Sequence, residues 1–340
     1  MDWFEKLTGF RETDYASTRQ KLEVVGQTLR SRVNGKNYGI GTLELVSLKE
    51  LRERVQAAPV LPGQLKVSVV RGDVGAMHGL AENAGALFQV ASQFNLLEMT
   101  GPEVTPEHGV TRYKDDPTQG PACAIAAGAA TIYRNYFFDV DGQTGQTKDR
   151  QLDGLGDLGT ALSDRLNQPV HTLWAMRNGY ALCTGGGLDA ISSLLESSTP
   201  QETDALREKL RIGVHSQVQV TAPLVTQQQR VSQAFCSALP VAYGDRRILK
   251  AQWQAFATLI LEAAYEATLW AAVLNARQTG SNIVFLTRLG GGAFGNESDW
   301  ITSAMRRAFQ LAADTGLDVR VVSYGAPSQE TLDLADDFAA

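Results

Sequence analysis

SNIVFLTRLGGGAFGNESDWITSAMRRAFQ, residues 281–310, decides the class of fold. Its apolar, β-branched opening, Ile283 to Thr287, has the composition of a strand, and Gly290 to Asn296 form a glycine-rich loop. The segment beyond places Trp300, Ile301, Met305, Ala308 and Phe309 at helical spacing, with Asn296 or Ser298 as the expected N-cap. Another strand, VRVVSYG at 319–325, follows. Strand, helix and strand at this spacing require a parallel crossover, so the chain is read as α/β.

The loop in that unit also carries chemistry. Consecutive glycines present backbone N–H groups without side chains in the way, and a helix N-terminus behind them adds partial positive charge, which suits a phosphate or diphosphate. The pattern is neither a Walker loop, since no Gly-Lys-Ser/Thr follows, nor the dinucleotide fingerprint with an acid about twenty residues on. A second triplet, Gly185 to Gly187, reads more simply as a flexible turn before a helix.

Outward from this unit, two more strands end in polar residues: Leu65 to Val74 delivers Asp73 into a loop, and Gly85 to Ser92 ends in Gln93, Phe94 and Asn95. Open α/β sheets place ligands at such carboxyl ends. EHGVTRYKDDPTQGP, residues 107–121, then packs three acids, a tyrosine, a threonine and a glutamine ahead of a small-residue helix expected over about Ala122 to Asn135. Strands are expected over Val214 to Pro223 and Val231 to Gly244, and a long helix over about Leu249 to Arg277. Glu262 and Glu266 stand one turn apart on it, as a narrow solvent-facing stripe or with Glu266 near a ligand.

The N-terminal part, 1–63, reads as a helical arm, with Trp3, Phe4 and Leu7 and then Leu22, Val25 and Leu29 at helical spacing, followed by an extended piece around Tyr38 to Leu45. The main domain runs over 64–325, with 140–213 inserted as two or three helices around an extended piece, and 326–340 as a tail.

The chain has 340 residues, 44% apolar and 20% charged, enough for a large core. A net charge of -6 without a basic run argues against nucleic acid or an anionic membrane surface as partner. The most apolar window, Leu259 to Leu274, is interrupted by Glu262 and Glu266 and falls short of a membrane span. Three dispersed cysteines in apolar settings suit a reducing compartment, and the charged N-terminus is no secretory signal, so a cytoplasmic protein is expected. The four histidines show no metal-ligand spacing.

Taken together, the VxxGD strand end at Val69 to Asp73, the strand ending at Asn95, GGGAFGN at 290–296 and the last strand resemble the macrodomain superfamily of ADP-ribose binders. The resemblance implies a three-layer α/β/α fold with a mixed central sheet. It also implies contacts to ADP-ribose: Asp73 to the adenine amine, Gln93, Phe94 and Asn95 around the distal ribose, and Gly290, Gly291, Gly292, Ala293, Phe294, Gly295 and Asn296 around the diphosphate. The usual Asn-Ala-Ala-Asn loop is absent. Instead QFN-L-E at 93–98, GVTRYKDDPTQGPA at 109–122, YRNYF at 133–137 and CSALPVAY at 236–243 are similar to a divergent macrodomain-like group. That group includes a Legionella effector that hydrolyses ADP-ribose from arginine of ubiquitin.

Releasing ADP-ribose from arginine breaks an N-glycosidic bond, and glycoside hydrolysis generally uses a pair of carboxyl groups. Asp116 is the first choice as base or ribose anchor, followed by Asp115 and Glu107; Thr118 and Gln119 can bond ribose hydroxyls, and Tyr113 or Phe294 can stack on a sugar. No metal or other cofactor is required. The partners expected are ADP-ribose and an ADP-ribosylated protein. A non-catalytic ADP-ribose reader, or an enzyme binding another sugar phosphate in the same loop, remains open at this point.

Overall fold

The computed structural model describes residues 1–59, 61–221 and 228–339. Its centre is a seven-stranded sheet of β1 (Thr42–Ser47), β2 (Lys66–Arg71), β3 (Leu87–Ala91), β4 (Arg211–Gln219), β5 (Arg230–Cys236), β6 (Ile283–Leu286) and β7 (Asp318–Ser323). The spatial order is β1-β4-β5-β3-β6-β7-β2. β4 is antiparallel to both neighbours, and every other pairing is parallel. The carboxyl ends of β5, β3, β6 and β7 therefore lie side by side along one edge.

Alternate side chains on the central strands enter two different cores, as the two-residue period of a strand requires. Leu87, Val284 and Leu286 join one apolar cluster, while Phe88, Val90 and Phe285 join another on the opposite face. The first face is covered by α1 (Leu48–Gln56), and by the 30-residue α4 (Lys250–Thr279) and α5 (Ser298–Leu311), with α4 packed on both of the others. The second face carries α2 (Gln119–Ala126) and α3 (Gly128–Tyr136). The fold is thus a three-layer α/β/α sandwich around a mixed sheet.

The expected crossover holds: β6 and β7 are parallel, joined through α5. Several local readings differ from expectation. Leu22, Val25 and Leu29 lie on the hairpin Leu22–Val25 and Thr28–Ser31 rather than on a helix, because Gly26 takes a left-handed φ of 57° that turns the chain between them. β1 is the edge strand of the central sheet, so the extended piece near residue 45 belongs to the core layer. The helix expected over 122–135 is two helices broken at Ala127. Glu297, not Asn296 or Ser298, is the N-cap of α5, and it makes no side-chain cap bond. Gly185 to Gly187 begin a helix whose first turn is capped internally, the Thr184 hydroxyl accepting from the Gly187 N–H at 2.9 Å. The 326–340 segment contains α6 (Gln329–Asp336), packed on β2 and α5. Residues 222–223 of the expected strand before β5 lie outside the described residues.

α4 is apolar on most sides because it is sandwiched between the sheet and other helices. It has the length and hydropathy of a membrane span, yet 78% of its apolar window is buried inside the fold. Glu266 is neither a solvent stripe nor near the cavity described below. It is 2% exposed and accepts from Arg52 Nε at 2.6 Å, Arg307 Nη1 at 2.7 Å and Trp270 Nε1 at 2.9 Å. Asp204, from the inserted helices, joins both arginines, at 2.7 Å to Arg52 and 3.3 Å to Arg307. Glu262 pairs with Arg207 at 2.6 Å. Two arginines held around one buried carboxylate would repel each other without it. The Glu266→Gln variant is expected to lose about 3 kcal/mol in urea denaturation at pH 7, the usual cost of breaking a buried pair from one side. Against the upward push of burial, its partners hold Glu266 below the ordinary 4.5 of a glutamate, so that difference should shrink as the pH falls below 4.5.

Candidate functional site

β6 is shorter than β3 and pairs with it only at Val284 to Leu87 and Phe285 to Phe88. Beyond Phe88 the two strands part, and the open edge of β3 is taken by a side chain from α2. The Gln119 carboxamide accepts from the Ala91 N–H at 2.9 Å and donates to the Gln89 carbonyl at 2.7 Å. This brings the start of α2 so close that a Cβ on Gly120 would lie 1.8 Å from the Ala91 carbonyl oxygen. The gap above is a cavity of about 360 Å³ at the carboxyl ends of β3, β5, β6 and β7, within the range of small-molecule sites.

The floor of the cavity holds a buried acid. Glu98 is 2% exposed and lines the cavity. It follows a tight loop in which Leu96 takes a left-handed φ of 64° and the Gln93 side chain accepts from the Met99 N–H at 2.7 Å. The Glu98 N–H donates to the Tyr113 hydroxyl at 3.1 Å, and its carboxyl oxygens accept from Arg134 Nη2 at 3.1 and 3.2 Å. Burial pushes the carboxyl up to about 7, against the downward pull of Arg134. An acid poised near neutrality in a cavity wall is the usual signature of a proton-transferring group.

Asp116 lines the same cavity from the other loop, half-buried, its Oδ1 accepting from the Thr118 N–H at 2.9 Å. Thr118 and Gln119 also line it, Gln119 with its amide committed to β3. On the β6 side stand Gly290, Gly292, Ala293 and Phe294. The loop's own turns use the N–H groups of Gly291, Gly295 and Asn296. Those of Gly292, Ala293 and Phe294 make no hydrogen bond among the described residues, leaving three successive donors at the wall. Gly290 has a φ of 74°, and a Cβ there would lie 2.5 Å from that of Ala238. Arg288 also lines the cavity, with its guanidinium donating outward to Thr331 at 2.9 Å.

One wall is aromatic. The rings of Tyr180, Tyr243 and Phe294 meet pairwise at 5.2, 5.3 and 5.7 Å, and all three line the cavity. Tyr180 comes from the inserted hairpin Trp174–Arg177 and Tyr180–Cys183, and donates to the Met99 carbonyl at 2.7 Å. Burial and the charge of Asp116 raise its phenol above the ordinary range.

Searches of protein-family models and of curated proteins find no match to the chain. Solved structures similar to it include poly(ADP-ribose) glycohydrolase from Deinococcus radiodurans in complex with ADP-ribose, at 13% identity over 96% of this chain and 97% of that one, with a TM-score of 0.43. The enzyme from Thermomonospora curvata bound to the inhibitor ADP-HPD is similar at 14% identity, over 95% and 98% of the two chains, also with a TM-score of 0.43.

Several expected site residues stand elsewhere. Glu107 lies outside the cavity lining, its carboxylate accepting from the Lys148 N–H at 2.9 and 3.0 Å. Asp115 is exposed and pairs with Lys114 at 2.7 Å. Asp73 is exposed as the cap of a short helix, accepting from Gly75 N–H at 2.7 Å, away from the cavity. Phe94 is buried in the core, and Asn95 is consumed in bonds to Gln151 at 2.8 Å and the Leu97 N–H at 3.1 Å. Tyr113 is fully buried beneath Glu98 and cannot stack on a sugar. Gly291, Gly295 and Asn296 shape the glycine loop without lining the cavity. Gln93 does line it. Among the described residues no group of three or more His, Cys, Asp or Glu is placed to hold a metal ion.

The cavity residues that sequence reasoning passed over include Glu98, Tyr180, Tyr243 and Arg288. Glu98 closes the QFN-L-E segment, so the motif contained it, but an acid inside an apolar stretch gives no sign of which way it points. Between pH 4.5 and about 7 the folded protein keeps a proton on Glu98 that the unfolded chain releases. Stability therefore falls as pH rises through that window, by up to about 3 kcal/mol. The Glu98→Gln variant is expected to flatten this slope, measured by urea denaturation at pH 5, 6, 7 and 8.

Proposed function

We propose that the protein is an ADP-ribosylhydrolase that cleaves the N-glycosidic bond between ADP-ribose and an arginine side chain. The observation that carries this reading is the buried Glu98 carboxyl, poised near 7, on the same cavity as Asp116 and the three donors of the glycine loop. Support also comes from the resemblance of GGGAFGN to the macrodomain superfamily and of QFN-L-E and GVTRYKDDPTQGPA to its divergent group.

Each part has a task in that reaction. The N–H groups of Gly292, Ala293 and Phe294 hold the diphosphate, where rigid backbone donors suit distributed negative charge. The rings of Tyr180, Tyr243 and Phe294 give the nucleoside an apolar face. Asp116, less buried than Glu98, meets the cationic guanidinium of the substrate. The Glu98 carboxylate takes a proton from water, whose oxygen bonds to the anomeric carbon. The electron pair of the carbon–nitrogen bond leaves with the guanidine, which then takes up a proton. One water is thereby divided between the ribose hydroxyl and the arginine side chain, with no change in oxidation state. A positively charged ribose in the transition state is steadied by two carboxyl groups, as in other glycoside hydrolyses.

Incubating the protein with an arginine-ADP-ribosylated protein is expected to release free ADP-ribose. Glu98→Gln and Asp116→Asn should each lower kcat by roughly 100-fold or more, while calorimetry shows ADP-ribose still bound. Binding without release by the unsubstituted protein would make it a reader. Failure of ADP-ribose to bind would assign the glycine loop to another phosphate.

A further inference from the structure

Arg134 is fully buried on α3 and does not line the cavity, so it touches no substrate. What surrounds it fixes its guanidinium without help from the acid it faces. Nε donates to the Leu96 carbonyl at 2.5 Å, and Cζ sits 3.9 Å from the centre of the Phe235 ring on β5. Only Nη2 reaches Glu98, touching both carboxyl oxygens and lying 3.5 Å from the Thr131 hydroxyl, while Nη1 has no partner among the described residues. A guanidinium that lacked these two anchors would be free to reorient whenever Glu98 lost its charge. Held by a carbonyl and a ring, it stays where it is in both protonation states.

We propose that Arg134 is the positioning residue for Glu98: anchored on Leu96 and Phe235, it aims the Glu98 carboxyl into the cavity through a single nitrogen and keeps it there as the proton comes and goes. This rests on the reading of the cavity as a hydrolase site. The single-nitrogen contact matters, because a two-nitrogen fork would engage each carboxyl oxygen with its own N–H and oppose protonation more strongly. Across the cavity from Glu98 stand the charged Asp116 and Arg288. The buried groups packed against the pair are electrically silent near neutrality. Burial pushes Tyr113 and Cys123 well above their ordinary values, and lowers His215 on β4, which faces Arg134, to about 3. Among the described residues Arg134 is the charged group in hydrogen-bond contact with the Glu98 carboxyl, and with the Tyr113 hydroxyl it opposes the effect of burial.

The test uses the full chain with three variants and two readouts. The midpoint of Glu98 is followed by carbon NMR of labelled carboxyl groups, assigned with Glu98→Gln, and the pH profile of ADP-ribose release is recorded alongside. Arg134→Met should raise the midpoint by about one unit or more, as removal of a contacting opposite charge does. Arg134→Lys keeps the charge but cannot hold Leu96 and Glu98 with one planar group. It should leave the midpoint within about half a unit, yet lower kcat roughly tenfold with little change in KM. A midpoint unmoved in Arg134→Met, or wild-type kcat in Arg134→Lys, overturns the proposal; if Arg134→Met does not fold, the lysine variant alone decides it. The carboxyl midpoint is read without turnover, so an inactive protein would sink the hydrolase reading while the midpoint still reports on Arg134.

Discussion

The parting of β3 and β6 is the constraint from which the site follows. A central parallel strand normally satisfies its backbone on both sides, and a buried unpaired N–H or carbonyl costs about 1–3 kcal/mol. Gln89 to Ala91 escape that cost because the Gln119 side chain imitates the missing strand, one donor and one acceptor at the right spacing. The substitution has a steric condition. Only glycine at 120 lets α2 approach the Ala91 carbonyl so closely, and from that position Asp116 to Gln119 necessarily face the gap. The glycine loop after β6 then forms the opposite wall.

The same logic explains how the insertion contributes chemistry rather than bulk. Its hairpin turns at Gly179, with a φ of 81°, and the Gly179 carbonyl accepts from the Phe94 N–H at 3.0 Å. A Cβ at Gly179 would come within 2.6 Å of both Gln93 and Asn95. Docking this tightly fixes the loop between β3 and Glu98 and swings Tyr180 over the cavity. Asn95 is used up in the process, which is why it serves the frame and not the ligand.

Period and composition made the layered fold legible. The β6–loop–α5–β7 unit, the long α4 and the strands ending at Gln93 and Asp73 could all be placed from apolar spacing, because each lies inside a core whose geometry repeats along the sequence. The site was legible only where backbone chemistry marks it, at GGGAF and DDPTQG. The sequence ranks Asp116 ahead of Asp115 and Glu107, and sets Asp73 apart only by resemblance, but shows the surroundings of none of them. Glu107, Asp115 and Asp73 separate from Asp116 once the fold assigns them partners: a loop N–H, a neighbouring lysine and a helix cap. Glu98 is the reverse case. Its neighbours Leu96, Leu97 and Met99 are apolar and buried, and only the long-range meeting with Arg134 shows that the chain tolerates an acid there.

Stability and chemistry are thus allotted to different parts of one sheet. The face under α4 holds its buried charge fully paired, with Glu266 accepting from two arginines and a tryptophan. The carboxyl edge holds its buried charge under-paired, with one arginine nitrogen on Glu98 and Arg134 Nη1 left without a partner among the described residues. A fully satisfied carboxylate would be a poor proton acceptor, because its partners would hold it well below neutrality, as they do Glu266. An unpaired one would stay protonated in so apolar a place. The intermediate arrangement at Glu98 is the one that leaves a carboxyl able to exchange a proton at pH 7.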